Sequence, residues 1–515
     1  MSVLKNMIAD DYLKIVSDFV VELELKSNDK ILKELVNSIN EVDFKILAFP
    51  EITKLNKRLV DVLEILKSGK NESLEMEAES IKKKLLTFKL NKNHYLVLCI
   101  EQLLKIAIEN DWGLCKKDGI IYLYNGSYWN EISKEGFQYF LGSIASKMGI
   151  DKFKAKIYTF KDELHKQFLA EAYLETPVTD KNKVLINLLN GTYEIAPERK
   201  LLREFRREDF ITHQLPFEFN PDADAPIFMK YLNEVLPDVD KQKVLAEFMG
   251  FIFTKGLKLE KALVLYGTGA NGKSVFFEVL NSLLGNENIS NYAIESLTTD
   301  NNYSRAKISN KLVNYASEMN GRIDANTFKQ LVSNEPIQAR LPYGEPFMIE
   351  DYAKLIFNCN ELPKDTEHTN AYFRRFLIIG FDVTIAEENQ DKRLHTRIID
   401  NELSGVFNWI LVGLDRLLLQ GKFSKCDAID NARADYEKMT DSVMLYVEEM
   451  GYKKDLSYYT PIKTLYDEYK IFCLDDGFRP VNKTNFMKRL SHHKIYVKRI
   501  DVGNVAYIKK DEGTF

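Results

Sequence analysis

The 515-residue sequence predicts a multidomain α/β protein, and three observations carry that reading. In KALVLYGTGANGKSVFFEVLNSLLG, which starts at Lys261, an apolar strand, a glycine-rich loop and an apolar helix follow one another without a break. From Lys261 to Thr384 apolar strands alternate with helical segments, as they do in a sheet covered by helices. The length also exceeds what one hydrophobic core serves, so three or four folded units are expected.

Residues 1–110 place Leu32, Leu35 and Ile39, then Leu59, Val62, Leu63 and Leu66, at helical spacing with almost no Gly or Pro, which predicts a helical amino-terminal region. Within it Ser68–Ser73, SGKNES, reads as a polar connection. Residues 113–215 are expected to form a small α/β domain. There IIYLYNGSYW (Ile120–Trp129) alternates around Asn125-Gly126, VLINLLNGTYEI turns at Asn190-Gly191, and helical sequence lies between the two. Residues 216–260 combine a linker, FEFNPDADAP (Phe217–Pro226), with a helical lead-in that carries Leu232, Val235, Val244, Leu245 and Phe248. Residues 261–385 form the α/β core, 386–440 a helical segment and 441–515 a compact basic unit. No internal repeat is evident.

A hydrophobic share of 45% and a charged share of 29% describe an ordinary globular protein. No window approaches the roughly 18 uninterrupted apolar residues of a membrane span, and the amino terminus lacks the basic-then-apolar order of a signal peptide. No membrane partner and a cytoplasmic location are therefore expected. Cys99, Cys115, Cys359, Cys426 and Cys473 form no C-x-x-C pair and read as reduced core thiols. A net charge of −5 argues against a protein that coats nucleic acid with its whole surface, while leaving a local basic face open.

The run GTGANGKS, Gly267–Ser274, satisfies G-x-x-x-x-G-K-S/T in its required strand–loop–helix context. Gly267, Gly269 and Gly272 let backbone N–H groups turn inward around phosphates, at a helix amino terminus whose dipole favours anions. Gly267, Thr268, Gly269, Ala270, Asn271, Gly272, Lys273, Ser274 and Val275 are thus the expected nucleotide-binding residues. Lys273 would reach the β- and γ-phosphates of ATP and Ser274 would ligate Mg2+.

Hydrolysis also needs a carboxylate at the end of a neighbouring strand, and KLVNYASE supplies one in Glu318, a candidate for both magnesium and water. A solvent-facing glutamate is the alternative. KLIFNCNELP is a further apolar strand ending in Asn358 and Asn360, and Asn360 is preferred as the residue that senses the γ-phosphate. In AYFRRFLIIGF, Arg374 and Arg375 precede a strand and offer a guanidinium fork either to a neighbouring subunit's nucleotide or merely to solvent.

Between Arg479 and Lys510, nine cations face a single acid, Asp501. A helix over Lys483–His492 puts Asn485, Lys488, Arg489 and His492 near one face with Phe486 and Leu490 inward, and Leu465, Tyr466, Tyr469 and Phe472 mark a supporting helix before it. IYVKRIDVGNVAYIKK then alternates and turns at Val502-Gly503-Asn504. A helix followed by a basic hairpin suggests a winged helix, with Lys483, Lys488, Arg489, Lys498 and Arg499 as its DNA contacts.

In this order the elements resemble the superfamily 3 helicases, specifically the phage and plasmid primase-helicase family that also includes poxvirus primase-helicases. The resemblance spans roughly residues 113–515 and rests on NGTYEI, PFEFNPDADAP, AEFMGFIFT, GTGANGKS, the strand ending in Glu318, and FKQLVSNEPIQARLPYGEPF. It implies an AAA+ motor domain that forms a hexameric ring around DNA with nucleotide between subunits. It also implies that Lys329 and Arg340 line the pore, that a hairpin tip carrying Tyr343 touches DNA, that Asn360 is the sensor and that Arg375 is the finger. The residues alone make Pro342–Pro346 an ordinary surface turn. One departure stands out: many members end the acidic strand with two carboxylates, whereas Ser317 precedes Glu318 here. The roughly 110 residues before the match carry no D-x-D or zinc cluster, so no primase domain is expected.

These readings converge on an ATP-dependent, ring-forming DNA helicase or translocase. It would act on single-stranded or forked DNA in the replication of a phage, plasmid or mobile element in a bacterial host. An origin-binding initiator that uses ATP mainly for assembly is the alternative, and an NTPase scaffold is the third reading.

Overall fold

The computed structural model describes residues 28–110, 113–117, 120–172, 180, 182–197, 199–317, 319, 323–341, 345–363 and 368–511. The chain divides into two compact units, one of residues 1–179 with 205–212 and the other of residues 180–204 with 213–515.

In the first unit the helices Asn28–Ser38, Phe44–Ala48, Glu51–Ser68, Glu72–Thr87 and Lys92–Glu109 precede an antiparallel sheet of Leu114–Lys117, Ile120–Tyr124 and Trp129–Ile132. Helices Lys134–Lys147, Lys152–Lys156 and Tyr158–Glu171 follow. The expected boundary at residue 110 does not separate two cores, because Leu35, Ile39, Ile100 and Leu103 pack with Ile121, Phe137, Phe140, Leu164 and Phe168. The apolar stripe of the amino-terminal helices is therefore covered by the sheet and helices after it. The Asn125-Gly126 turn forms as expected: Asn125 Oδ1 accepts from the N–H groups of Ser127 and Tyr128, both at 2.9 Å.

The second expected hairpin lies in the second unit, where Val184–Leu188, Gly191–Ala196 and Arg199–Arg203 form an antiparallel sheet. Gly191 already pairs with Leu188, so the turn is Leu189-Asn190, one residue earlier than expected. The stretch read as a linker has no regular structure, yet it is packed: Phe217 and Phe219 are buried against the Phe407 ring at 5.6 and 6.0 Å. Its backbone is held by Asn408, whose Nδ2 donates to the carbonyls of Asn220 and Ala223, both at 2.9 Å.

The centre of this unit is a five-stranded, all-parallel sheet in the order Phe376–Gly380, Ala262–Tyr266, Lys354–Cys359, Val313–Ala316, Ile289–Ser290. Nearly every residue of strands Ala262–Tyr266, Val313–Ala316 and Phe376–Gly380 is buried, as expected of a parallel sheet covered on both faces. Helix Val239–Phe251 crosses the long helix Leu394–Gln420 where Gly413 meets Ala246 and Gly250 meets Leu414. A Cβ on Gly413 would lie 2.3 Å from the Ala246 carbonyl carbon, so only glycine allows that approach.

Helices Asp427–Met439 and Ser442–Glu449 lead to a separate carboxy-terminal core of Tyr446, Ile462, Leu465, Tyr469, Phe486, Leu490 and Ile508. It is built from helices Ile462–Asp475 and Lys483–His492 and two small antiparallel sheets. One pairs Tyr452–Lys454 with Ile508–Lys510, and the other orders Thr460–Pro461, Gly503–Ala506 and Val497–Ile500. Gly503 pairs with Ile500, so the hairpin turns at Asp501-Val502 rather than at Val502-Gly503-Asn504. All five cysteines are buried free thiols. Among the described residues no helix is long and apolar enough to cross a membrane.

Candidate functional site

The loop Gly267–Gly272 leaves the buried strand Ala262–Tyr266 and enters helix Lys273–Leu284. Its two neighbouring strands hold it by the backbone: Gly267 N–H donates to the Cys359 carbonyl at 3.1 Å, and Phe381 N–H donates to the Tyr266 carbonyl at 2.7 Å. The buried Asn271 side chain donates to the Phe381 carbonyl at 3.2 Å, and Ile385 N–H to the Ala270 carbonyl at 2.8 Å. Gly269 and Gly272 take φ of 111° and 82°, which L side chains rarely adopt. The Tyr231 hydroxyl closes the loop by donating to the Gly272 carbonyl at 2.8 Å.

Lys273 is buried, and its Nζ donates to the Gly267 carbonyl and, at 3.3 Å, to Asn360 Oδ1. Burial, opposed by Cys359, holds its pKa below the ordinary lysine value. Among the described residues it has no carboxylate partner. Asn360 directly follows strand Lys354–Cys359, which pairs in parallel with the loop's own strand, so sheet register brings the asparagine to the lysine. Asn358, in register with Leu265, has a buried Oδ1 with no hydrogen-bond partner. Ser317 directly follows the next strand, Val313–Ala316, on the same wall. Glu318 lies outside the described residues.

These groups open onto a cavity of about 1530 Å3, outside the carboxyl ends of the parallel strands where α/β sheets place ligands. Gly269, Ala270, Asn271, Gly272, Lys273, Ser274 and Val275 line one side with Asn358 and Asn360. Gly267 is buried beneath the loop, while Thr268 is exposed beside it. The opposite side escaped sequence reasoning. It comes from helix Pro226–Val235 (Ile227, Tyr231, Val235) and from residues 383–397 (Ile385, Leu394, His395, Arg397). Buried Glu402, on the long helix, fixes the first of these by accepting the N–H groups of Ile227 and Phe228 at 2.9 and 2.8 Å. Helix-capping carboxylates are legible only when the cap is local, and this one is 175 residues away.

Arg374 and Arg375 lie at the opposite, amino-terminal edge of the same sheet, next to Phe376–Gly380. That strand runs parallel to Ala262–Tyr266, so about 17 Å of strand separates the arginines from the loop end. Arg375 is buried. Its guanidinium donates to the Ala371 carbonyl, to Ser333 Oγ at 3.1 Å, and pairs with Glu260 at 3.1 Å. Arg374 has a side chain 53% exposed and pairs with Glu260 at 2.6 Å.

Lys329 sits half-buried on helix Ala325–Val332. Strands Ile337–Ala339 and Phe347–Ile349 form an antiparallel hairpin, and Arg340 is exposed as the chain leaves the first of them. Tyr343, the expected tip residue, lies outside the described residues.

In the carboxy-terminal unit Lys483, Lys488, Lys498 and Arg499 are exposed, and Phe486 and Leu490 are buried as expected. Arg489 differs from its expected outward position. It turns toward buried Asp441, at 3.5 Å, which also pairs with His493 and lies 3.8 Å from His368. The Asp441 carboxyl is held below the usual carboxylate range: burial opposes this, and the hydrogen bond from His493 with the charges of His368 and Arg489 overcomes it. Among the described residues no group of His, Cys, Asp and Glu forms a metal cluster.

Two family matches fall on these regions. Residues 101–237 match the family described as D5 N terminal like, and residues 265–375 match a family of unknown function, DUF5906. The "Putative helicase" of Acanthamoeba polyphaga mimivirus is 25% identical over 215 residues, which are 39% of this chain and 22% of that protein. The "Putative primase" of African swine fever virus (Badajoz strain) is 23% identical over 333 residues, 59% of this chain and 34% of that protein. The chain thus spans about a fifth to a third of the length of these relatives. Among solved structures, the apo C-terminal region of NrS-1 aligns with a TM-score of 0.43 at 13% identity, covering 80% of this chain and 98% of that one. The D5 N-terminal match and the distant homology to viral helicase and primase proteins support kinship with a primase-helicase family.

Proposed function

We propose that this chain is an ATP-driven DNA helicase or translocase with an AAA+ motor. It assembles as a homohexameric ring and serves the replication of a phage, plasmid or other mobile element. The observation that carries this reading is Lys273, a buried ammonium at a helix amino terminus whose recorded partners are one carbonyl and one amide oxygen. Such a group is poised for an anion, and the glycines beside it admit phosphate oxygens close to the backbone. The unpartnered Asn358 Oδ1 adds an acceptor to the same wall. This donor set fits a nucleoside triphosphate.

Lys273 binds the β- and γ-phosphate oxygens in this scheme, exchanging its bond to Asn360 for the ligand and freeing that amide to orient water. Ser274 and Glu318 would hold Mg2+, which neutralises charge on the phosphate oxygens. Glu318 accepts the proton of the attacking water. Ile227, Ile385 and Leu394 offer apolar surface to the base. Both arginines are remote from their own loop, so the nucleotide they meet is a neighbour's. The resemblance points to Arg375; its burial suits it to support exposed Arg374 as the group that crosses. Lys329, Arg340 and Tyr343 face DNA in the ring, and the carboxy-terminal unit acts as a winged helix.

The test is hydrolysis and fork unwinding by the Lys273→Ala variant. Loss of a donor to the transferring phosphoryl group costs about 10²–10³-fold in turnover. Unchanged hydrolysis would overturn the reading. The separate core of the basic carboxy-terminal unit favours the second reading, an origin-binding initiator. A footprint on one origin sequence without unwinding of a generic fork selects the initiator. Hydrolysis indifferent to single-stranded DNA selects a scaffold.

A further inference from the structure

Three tyrosines form a row across the carboxy-terminal sheet. Tyr507 is central, with its ring centroid 5.2 Å from that of Tyr496 and 6.4 Å from that of Tyr459. The row follows from the register. Ala506 pairs with Thr460 on one side and with Val497 on the other, so the preceding or following tyrosine of each strand stands at the same level. Tyr507 N–H donates to the Tyr496 carbonyl at 2.8 Å and locks that level. The outer rings are open to solvent: Tyr496 is 53% and Tyr459 is 42% exposed. Tyr458, beside the row, is 48% exposed and carries the Lys509 ammonium 5.8 Å from its ring centroid.

Core packing does not account for this surface, because the unit's own aromatic core of Tyr446, Tyr469 and Phe486 is complete without it. Cations surround the row. Lys498, two residues after Tyr496, shares its face of the sheet and among the described residues has no ion-pair partner, whereas Arg499 takes the opposite face; Lys509 and Lys510 follow Tyr507. Open aromatic rings interleaved with cations match the chemistry of an unpaired polynucleotide, whose bases present flat faces and whose phosphates present charge. A duplex hides those base faces.

We propose that the Tyr459–Tyr507–Tyr496 row is a stacking platform for single-stranded DNA, with Lys498 and Lys509 on its phosphates. This rests on reading the carboxy-terminal unit as a nucleic-acid surface and narrows it: the strand is met by the sheet as well as by the helix Lys483–His492. The two outer rings each take one base, and Tyr507 keeps them apart.

The test uses the full chain without nucleotide and a fluorescent oligothymidylate of about 20 residues. Tyr496→Ala and Tyr459→Ala should each weaken binding by about 5- to 150-fold, while Tyr496→Phe, which keeps the ring, should bind as the parent does. An abasic strand of equal length should bind the parent and the double alanine variant alike. The same oligomer carrying 5-iodouracil should crosslink at Tyr459 or Tyr496 on irradiation. Crosslinks confined to other segments, or equal affinity of parent and double variant for the oligothymidylate, would overturn the proposal, as would equal weakening on a blunt duplex. ATP hydrolysis is measured in parallel. If it is absent while the tyrosine dependence holds, the motor reading fails and the platform stands; if it is present while the dependence is missing, the reverse is true.

Discussion

Replacing Gly272 with alanine tests how the phosphate loop is built. Gly272 holds φ at 82° immediately before helix Lys273–Leu284, a conformation that costs an L residue about 1–2 kcal/mol. A Cβ there would also lie 2.6 Å from Val235 Cγ1 and 3.1 Å from Tyr231 Cε2. Val235 is buried at the end of its helix and cannot retreat, so overpacking adds about 1–3 kcal/mol. The total is about 2–5 kcal/mol. Gly269 is the control: its φ is 111°, but nothing lies within 4 Å of its Cβ position, leaving only the conformational cost of about 1–2 kcal/mol. Urea unfolding of both variants, read beside titration with a fluorescent ATP analogue, separates the two contributions. Adding Val235→Ala to Gly272→Ala makes room for the methyl and should recover part of the loss, a favourable coupling in a double-mutant cycle. Equal destabilisation by both glycine variants, or no recovery in the double variant, would refute the clash with Val235.

Glu402→Ala leaves the N–H groups of Ile227 and Phe228 without their acceptor and should cost about 1–3 kcal/mol in urea unfolding, with a matching loss of nucleotide affinity because the helix it caps walls the cavity. Asp441→Asn should cost about 1–3 kcal/mol at neutral pH. Because the Asp441 pKa is depressed on folding, its contribution is full above the unfolded value of 3.8 and is lost as pH falls through the lower folded value. The gap between parent and Asp441→Asn should therefore close below about pH 4 in pH-dependent unfolding. Arg375→Ala should lower stability, since its guanidinium is tied to Ala371, Ser333 and Glu260. Arg374→Ala should leave the melt unchanged and depress hydrolysis only in the assembled state, seen by mixing it with Lys273→Ala subunits.

The loop, its strand and its helix are legible in the sequence because their determinants are contiguous: glycines at fixed offsets, an apolar run before them and an apolar helix after. Asn360 is legible for a related reason, since it ends a strand whose apolar run is unmistakable. The cavity's other wall was not. Ile227 and Leu394 line it from distant segments, Glu402 caps the helix that carries Ile227, and no local pattern encodes a cap supplied from such a distance. The extent of the first core was hidden similarly. The amino-terminal helices show their apolar stripe, but the stripe does not say that Ile121 and Phe137 will cover it. The segment Phe217–Pro226 has the composition of a linker, and its two phenylalanines make it a packed strap against Phe407.

The basic carboxy-terminal run shows why counting charges overstates a binding surface. Nine cations against one acid in Arg479–Lys510 suggest a uniformly positive face, but the counter-charge lies outside that window, at Asp441. It draws Arg489 inward, where the guanidinium and His493 fix helix Lys483–His492 against the helix that Asp441 caps. Lys488, one residue earlier, is exposed and has no such partner among the described residues. Adjacent cations on one helix thus have opposite tasks, one orienting the helix and the other left for phosphate. The difference is measurable: Lys488→Ala should reduce the salt dependence of DNA binding by about one unit in the slope of log K against log salt while leaving the fold intact. Arg489→Ala should instead lower the melting temperature and weaken binding mainly through the displaced helix. If Lys488→Ala and Arg489→Ala alter the slope equally and neither shifts the melt, Asp441 does not organise this surface.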